Sequence, residues 1–192
     1  MNLLQGLLKW QSSLHPLTRG AAVYAVLWPT GSLIQQSLEG RNLKTYDWGR
    51  ALRFSLFGSL YVAPTVYYWV RLSSAMWPKT NFRTGIVKAL TEQISYGPFA
   101  ATSFFMGMSL LDGLTWSQAV EETKNKFPHT YKVGICVWPV LQTINFSLVP
   151  EHNRLIFVSV CSLMWTVFLA YMKQRQLANE ADQAADQQSQ LT

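Results

Sequence analysis

Five stretches of this chain contain no charged side chain: 20–38, 54–70, 93–111, 133–150 and 155–172, each 17 to 19 residues long. As α-helices rising about 1.5 Å per residue, each would cover roughly 27 Å, close to the hydrocarbon thickness of a bilayer. Basic residues crowd the edges of these windows: Arg19, Arg50, Arg53, Arg71, Lys79, Arg83, Lys88, Lys132, Arg154, Lys173 and Arg175. Core helices of soluble proteins carry charges every few residues on their wet face. The placement therefore predicts an all-α fold, a polytopic membrane helical bundle with four to five proline-kinked spans. Composition agrees, with 49% hydrophobic, 14% aromatic and only 14% charged residues, against roughly 25% charged in ordinary soluble domains. Residues 1–175 are expected to form a single membrane-embedded helical domain, and 176–192, rich in Gln, Ala and Asp, a disordered polar tail.

The net charge of +6 suits a lipid bilayer as partner, with Lys and Arg stems snorkelling to the headgroups. Nucleic acid is not expected as a partner, because the basic residues are dispersed and no recognised binding motif accompanies them. The two cysteines, Cys136 and Cys161, form no CxxC pair, and His15, His129 and His152 are scattered. The sequence thus predicts no metal site and no cofactor. No glycine-rich phosphate loop or nucleophile elbow occurs either, so an enzyme is not expected. Leu3, Leu4, Leu7 and Leu8 recur at helical spacing, and no acid precedes Glu39. That start fits organelle import or a membrane-surface helix. Between the third and fourth windows, Thr115 and Gln118 have capping-box spacing and open an amphipathic stretch that lies on the membrane surface or extends the fourth span.

Each of the first four windows holds one internal proline: Pro29, Pro64, Pro98 and Pro139. A proline deletes one backbone hydrogen bond and crowds the preceding turn, so each predicts a bend and a carbonyl in need of a partner. Gln142 and Asn145, three residues apart, share one helical face. Gln35 or Gln36, Glu92 with Gln93, and Ser103 are candidates for the opposing polar surface. Two roles stay open for these groups, interhelical hydrogen-bond glue or the lining of an aqueous path. Glu92 is read as a selectivity charge biasing cations at a pore mouth, or as the partner of Lys88 one turn earlier. Trp28, Trp138 and Trp165, set inside windows, are expected in tight bundle contacts.

The spaced set Trp138-Pro139, Gln142, Asn145-Phe146, Val149-Pro150, Arg154 and Trp165 resembles the family named for the Mpv-seventeen protein and the twenty-two-kilodalton peroxisomal membrane protein. His15-Pro16, Gly31, Gln35, Gln36, Asp47, Arg50, Gly58, Pro64, Trp69, Glu92-Gln93 and Pro98 support the likeness, which covers nearly all of 10–173. The stretches 107–113 and 144–150 look most like the Mpv-seventeen-like branch. Ser32 and Glu92 stand where the family often has Asp. The resemblance implies a multispanning, usually four-span, integral protein of the mitochondrial inner membrane or, less favoured, the peroxisome. It further implies a connection with channel activity, reactive oxygen species metabolism and mitochondrial DNA maintenance. Together these readings predict a weakly selective channel for small solutes or ions, with a homo-oligomer allowed. The alternative is a non-transporting membrane scaffold that recruits soluble partners.

Overall fold

The computed structural model describes residues 15–190, and among them the secondary structure is helical without strands. Helix α1, Pro16–Leu38, opens with Pro16 in its first turn, where a missing N–H costs nothing, and with the His15 ring accepting from the Leu17 N–H at 3.3 Å. Pro29 lies inside it. A proline there removes the bond to the carbonyl of Ala25, and Ser55 Oγ from the neighbouring helix donates to that carbonyl at 2.8 Å. The expected orphan is therefore satisfied across the bundle.

Helix α2, Trp48–Phe57, starts at Asp47, whose carboxylate accepts from the Arg50 N–H at 2.7 Å. It runs through a π-turn, Gly58–Val62, into α3, Ala63–Met76. The wide turn falls where Pro64 withdraws its N–H from the i−4 carbonyl, so the proline is absorbed by a change of helical pitch. Pro98 acts differently. Helix α4, Phe82–Ile94, ends at Ser95, and Pro98 sits in the first turn of the next helix, α5, Tyr96–Leu111. The third uncharged window is thus the second half of a longer broken rod.

Helix α6, Trp116–Leu148, begins with the predicted capping box of Thr115 and Gln118 and contains Pro128 and Pro139 within an unbroken helix. Its 33 residues extend about 50 Å, more than a bilayer core is thick. The amphipathic stretch therefore extends the fourth window. Val149 is extended, a 3-10 turn covers Glu151–Asn153, and α7 follows as Arg154–Gln190. It continues as helix across 176–190, the stretch for which disorder is expected; Ala, Gln and Glu are good helix formers. Residues 1–14, with the leucine-spaced start, and 191–192 lie outside the described residues.

The rods α1, α2–α3, α4–α5, α6 and α7 alternate in direction. Arg19 at the start of α1 bonds the His152 carbonyl and, at 2.9 Å, Asn153 Oδ1 beside the start of α7, so these two helices run parallel. At the other end, Arg53 of α2 and Asp112 after α5 form an ion pair at 2.7 Å. The core is built on Tyr24, Ala63, Val66, Val70, Phe146, Leu155 and Val158. Trp28 packs in an aromatic group with Phe54, Phe57 and Phe104. Its indole lies on the backbone of Gly58, where a Cβ would stand 2.8 Å from a ring carbon. Trp138 and Trp165 meet edge-on at 6.1 Å.

Among the described residues, only the segment Glu151–Met172 is both long and apolar enough, by length and composition, to cross a membrane. The other windows are diluted by Gln35, Gln36, Ser55, Gln142 and Asn145 or divided between elements. In α4, however, the distribution of side chains runs opposite to that of a helix in a soluble bundle. In α4 the buried stripe is Gly85, Lys88, Ala89 and Glu92, whereas Ile86, Val87, Leu90 and Ile94 face outward. The small and charged residues are inside, and the branched apolar ones outside.

Candidate functional site

The i, i+3 spacing of Gln142 and Asn145 places both amides on the face of α6 that packs against α4. Both are buried, Asn145 with no exposed surface. Glu92, 7% exposed, meets them from α4, about 15 Å along that helix from its start. Gln142 Nε2 donates to Glu92 Oε1, and Asn145 Nδ2 donates to Gln142 Oε1 at 2.9 Å. The second carboxylate oxygen, Oε2, accepts from Trp69 Nε1 of α3 at 2.7 Å.

Aromatic packing fixes the indole that makes this last bond. Trp69 stacks on Tyr96 with ring centroids 5.3 Å apart and planes 8° from parallel. The Tyr96 hydroxyl in turn shares a hydrogen bond with Thr65 Oγ1 at 3.0 Å. Three rods, α2–α3, α4–α5 and α6, thus converge on one carboxylate beside the break at Ser95. There the Gln93 carbonyl, left over at the end of α4, accepts from the Tyr131 hydroxyl of α6 at 2.6 Å. Asn145 Oδ1 has no partner. It is a buried acceptor with capacity for a further donor.

The predicted opposing surface is only partly assembled. Glu92 belongs to it, but lies between helices with both oxygens engaged, which corrects its placement at a pore mouth. Its pairing with Lys88 is not made either: Lys88 Nζ sits 5.4 Å from the ring centroid of Phe146. Gln35 takes no part in the cluster, and Ser103 bonds within its own helix to Ala100. Gln36 is buried near the far end of α1, donating to the Asp47 carbonyl at 3.1 Å and accepting from its N–H at 2.6 Å. It closes the loop between α1 and α2. Gln93 contributes through its carbonyl.

Lys88 and Arg154, expected as snorkelling edge anchors, are interior residues at 1% and 2% exposure. Arg154 donates to the carbonyls of Val149 and Phe146, both at 3.2 Å, and to Ser74 Oγ at 3.0 Å. It ties the corner where Pro150 ends α6 to α3. Trp69, which carries part of the family resemblance, is the partner missing from the polar surface expected from sequence. The repeat Gly85, Lys88, Ala89, Glu92 at i, i+3, i+4, i+7 was the available signal for the buried face of α4. A groove of about 490 Å³ between α1 and α7, bordered by Ile34, Leu38, Leu163 and Val167, is apolar and separate from this cluster.

Fold and site together define, among the described residues, an all-helical bundle that buries Lys88, Glu92, Arg154 and several amides and presents many large apolar side chains outside. The Mpv17 / PMP22 family model matches residues 109–170. The chain is 31% identical over 163 residues to an Mpv17-like protein of Xenopus laevis, covering 85% of this chain and 79% of that one. The Mpv17-like protein of Bos taurus is 31% identical over 160 residues, covering 83% and 79%. The mitochondrial inner membrane protein Mpv17 of Caenorhabditis briggsae is 26% identical over 160 residues, covering 83% and 87%. This chain belongs to the Mpv17 / PMP22 family. No solved structure matches it.

Proposed function

We propose that this protein crosses an organelle membrane with its alternating helical rods and forms a weakly selective channel for small solutes. The observation that carries the reading is the buried Glu92–Gln142–Asn145 chain with its unpartnered amide oxygen. Carboxylates and amides at membrane depth face a bundle interior or a water-filled path. The outward Ile86, Val87, Leu90 and Ile94 of α4 support lipid as the surrounding solvent. The mitochondrial inner membrane is the favoured location, supported by the name of the Caenorhabditis briggsae relative, with the peroxisome second. In that place the channel serves organelle homeostasis, including reactive oxygen species metabolism and mitochondrial DNA maintenance. It does so without enzymatic chemistry, as a monomer or a homo-oligomer.

Single-channel recording of the purified protein in planar bilayers tests this, with wild type beside the Gln142→Leu, Asn145→Leu double substitution. Openings whose size or selectivity changes with the substitution support a path along that face. A silent bilayer from folded protein favours a non-transporting scaffold instead. The scaffold reading draws support from α6, whose first turns project an exposed Trp116 with Glu121 and Lys124. Its own check is proximity labelling with 115–127 deleted, and retention of every partner counts against it.

A further inference from the structure

Two buried cations share one aromatic ring. Lys88 Nζ stands 5.4 Å from the centroid of Phe146, and the guanidinium carbon of Arg154 stands 5.6 Å from the same centroid. Among the described residues neither has a carboxylate within ion-pair distance, since the ion pairs present join other groups. Arg154 is supplied with oxygen acceptors. Among the described residues Lys88 Nζ has the ring face of Phe146 and no hydrogen-bond acceptor, and a ring face returns a fraction of what an ammonium loses on leaving water.

The acid that does act on both cations, Glu151, is exposed and within ion-pair distance of neither. Glu92, one turn further along α4, has its two oxygens held by Trp69 and Gln142. Among the buried groups, Lys88, Arg154 and Glu92 leave an excess of one positive charge that has no ion-pair partner in the interior. Ser147 Oγ lies against Gly85, one turn before Lys88 on the same buried stripe, and is itself buried without a hydrogen-bond partner. An ammonium without an acceptor and a hydroxyl without a partner therefore lie on adjacent turns of the α4–α6 seam.

We propose that Lys88 and Ser147, with Arg154 across Phe146, bind a small anion of the phosphate or halide class. Lys88 Nζ and the Ser147 hydroxyl are the donors. The guanidinium adds charge from the side, and one monovalent anion brings the buried set to neutrality. A consequence that rests on the channel reading is that solutes passing this seam are selected as anions, in spite of Glu92.

The test uses the full-length protein in phosphatidylcholine nanodiscs, titrated with sodium phosphate against sodium gluconate at constant ionic strength. The readout is the thermal midpoint, which rises saturably when an anion binds only the folded state. Lys88→Met is expected to raise the half-saturating phosphate concentration by about tenfold or more, with Lys88→Arg retaining the response. If Lys88→Met does not fold, Ser147→Ala, which removes one hydroxyl, is expected to weaken the same response. No saturable rise in wild type, or a rise untouched by both substitutions, overturns the site. So does a Lys88-dependent rise produced only by phosphatidylglycerol in the disc, which assigns the seam to a lipid headgroup. Reversal potentials in planar bilayers read the consequence separately. A midpoint response from a protein that never conducts leaves the anion site standing and retires the channel, whereas cation-selective openings with no midpoint response do the reverse.

Discussion

Replacing Trp69 by Phe removes the indole N–H together with the five-membered ring, so a double-mutant cycle is needed to separate the bond to Glu92 from lost packing. The bond it deletes runs 2.7 Å from the indole to Oε2 of a carboxylate that is 7% exposed. Hydrogen bonds to charged groups contribute about 1.5–3 kcal/mol, and a buried acceptor left unpaired costs a comparable amount. Phe keeps an aromatic ring to stack against Tyr96. Trp69→Phe should therefore destabilise the protein by about 2–3 kcal/mol. A double-mutant cycle with Glu92→Leu isolates the bond, because the indole donor has no carboxylate to lose in that background. Unfolding of the four proteins in detergent micelles should give a coupling energy of about 1.5 kcal/mol or more. Additivity within about 0.5 kcal/mol would refute the argument that Trp69 holds this carboxylate.

Ser55→Ala should cost about 1–2 kcal/mol by leaving the Ala25 carbonyl unpaired, and should become nearly neutral when Pro29→Ala restores the intrahelical bond; equal cost in both backgrounds, measured by thermal unfolding, goes against that account. Gly58→Val sets a side chain onto the Trp28 indole and should destabilise by about 1–3 kcal/mol, with Trp28→Leu relieving part of it. Asp47 has its carboxyl held below the ordinary carboxylate range, chiefly by the hydrogen bond from the Arg50 N–H and then by neighbouring arginines. Its folded pKa being depressed, the stabilisation is present above the unfolded value and is lost as pH falls through the folded one. Midpoints measured down that acid range should fall less steeply for Asp47→Asn than for wild type.

Particular residues show where sequence and structure part. Thr115 and Gln118 were legible as a helix start because a capping box is a local contract between a side chain and a backbone three residues away. The shared face of Gln142 and Asn145 was equally legible, since helical periodicity alone sets it. The four prolines announced themselves, but their outcomes did not. Pro29 stays inside a helix because Ser55 arrives from another rod, Pro64 is taken up by a π-turn, and Pro98 opens a new helix. Lys88 and Arg154 looked like edge anchors because charge at the end of an apolar window has that reading by default. Their burial depends on Phe146 and Ser74, which reach them from other helices.

The sequence by itself determined the helical class, the uncharged windows, the caps and the residues able to form hydrogen bonds inside, all of which follow from spacing along one chain. Only the tertiary structure decided which acceptor meets which donor. Trp69, Glu92 and Gln142 are separated by 23 and 50 residues, and periodicity places each on a face of its own helix without saying which faces pack together. That choice is made when rods pack so that buried polar groups find partners, and it is why the carboxylate of Glu92 took an indole and an amide in place of the lysine one turn away.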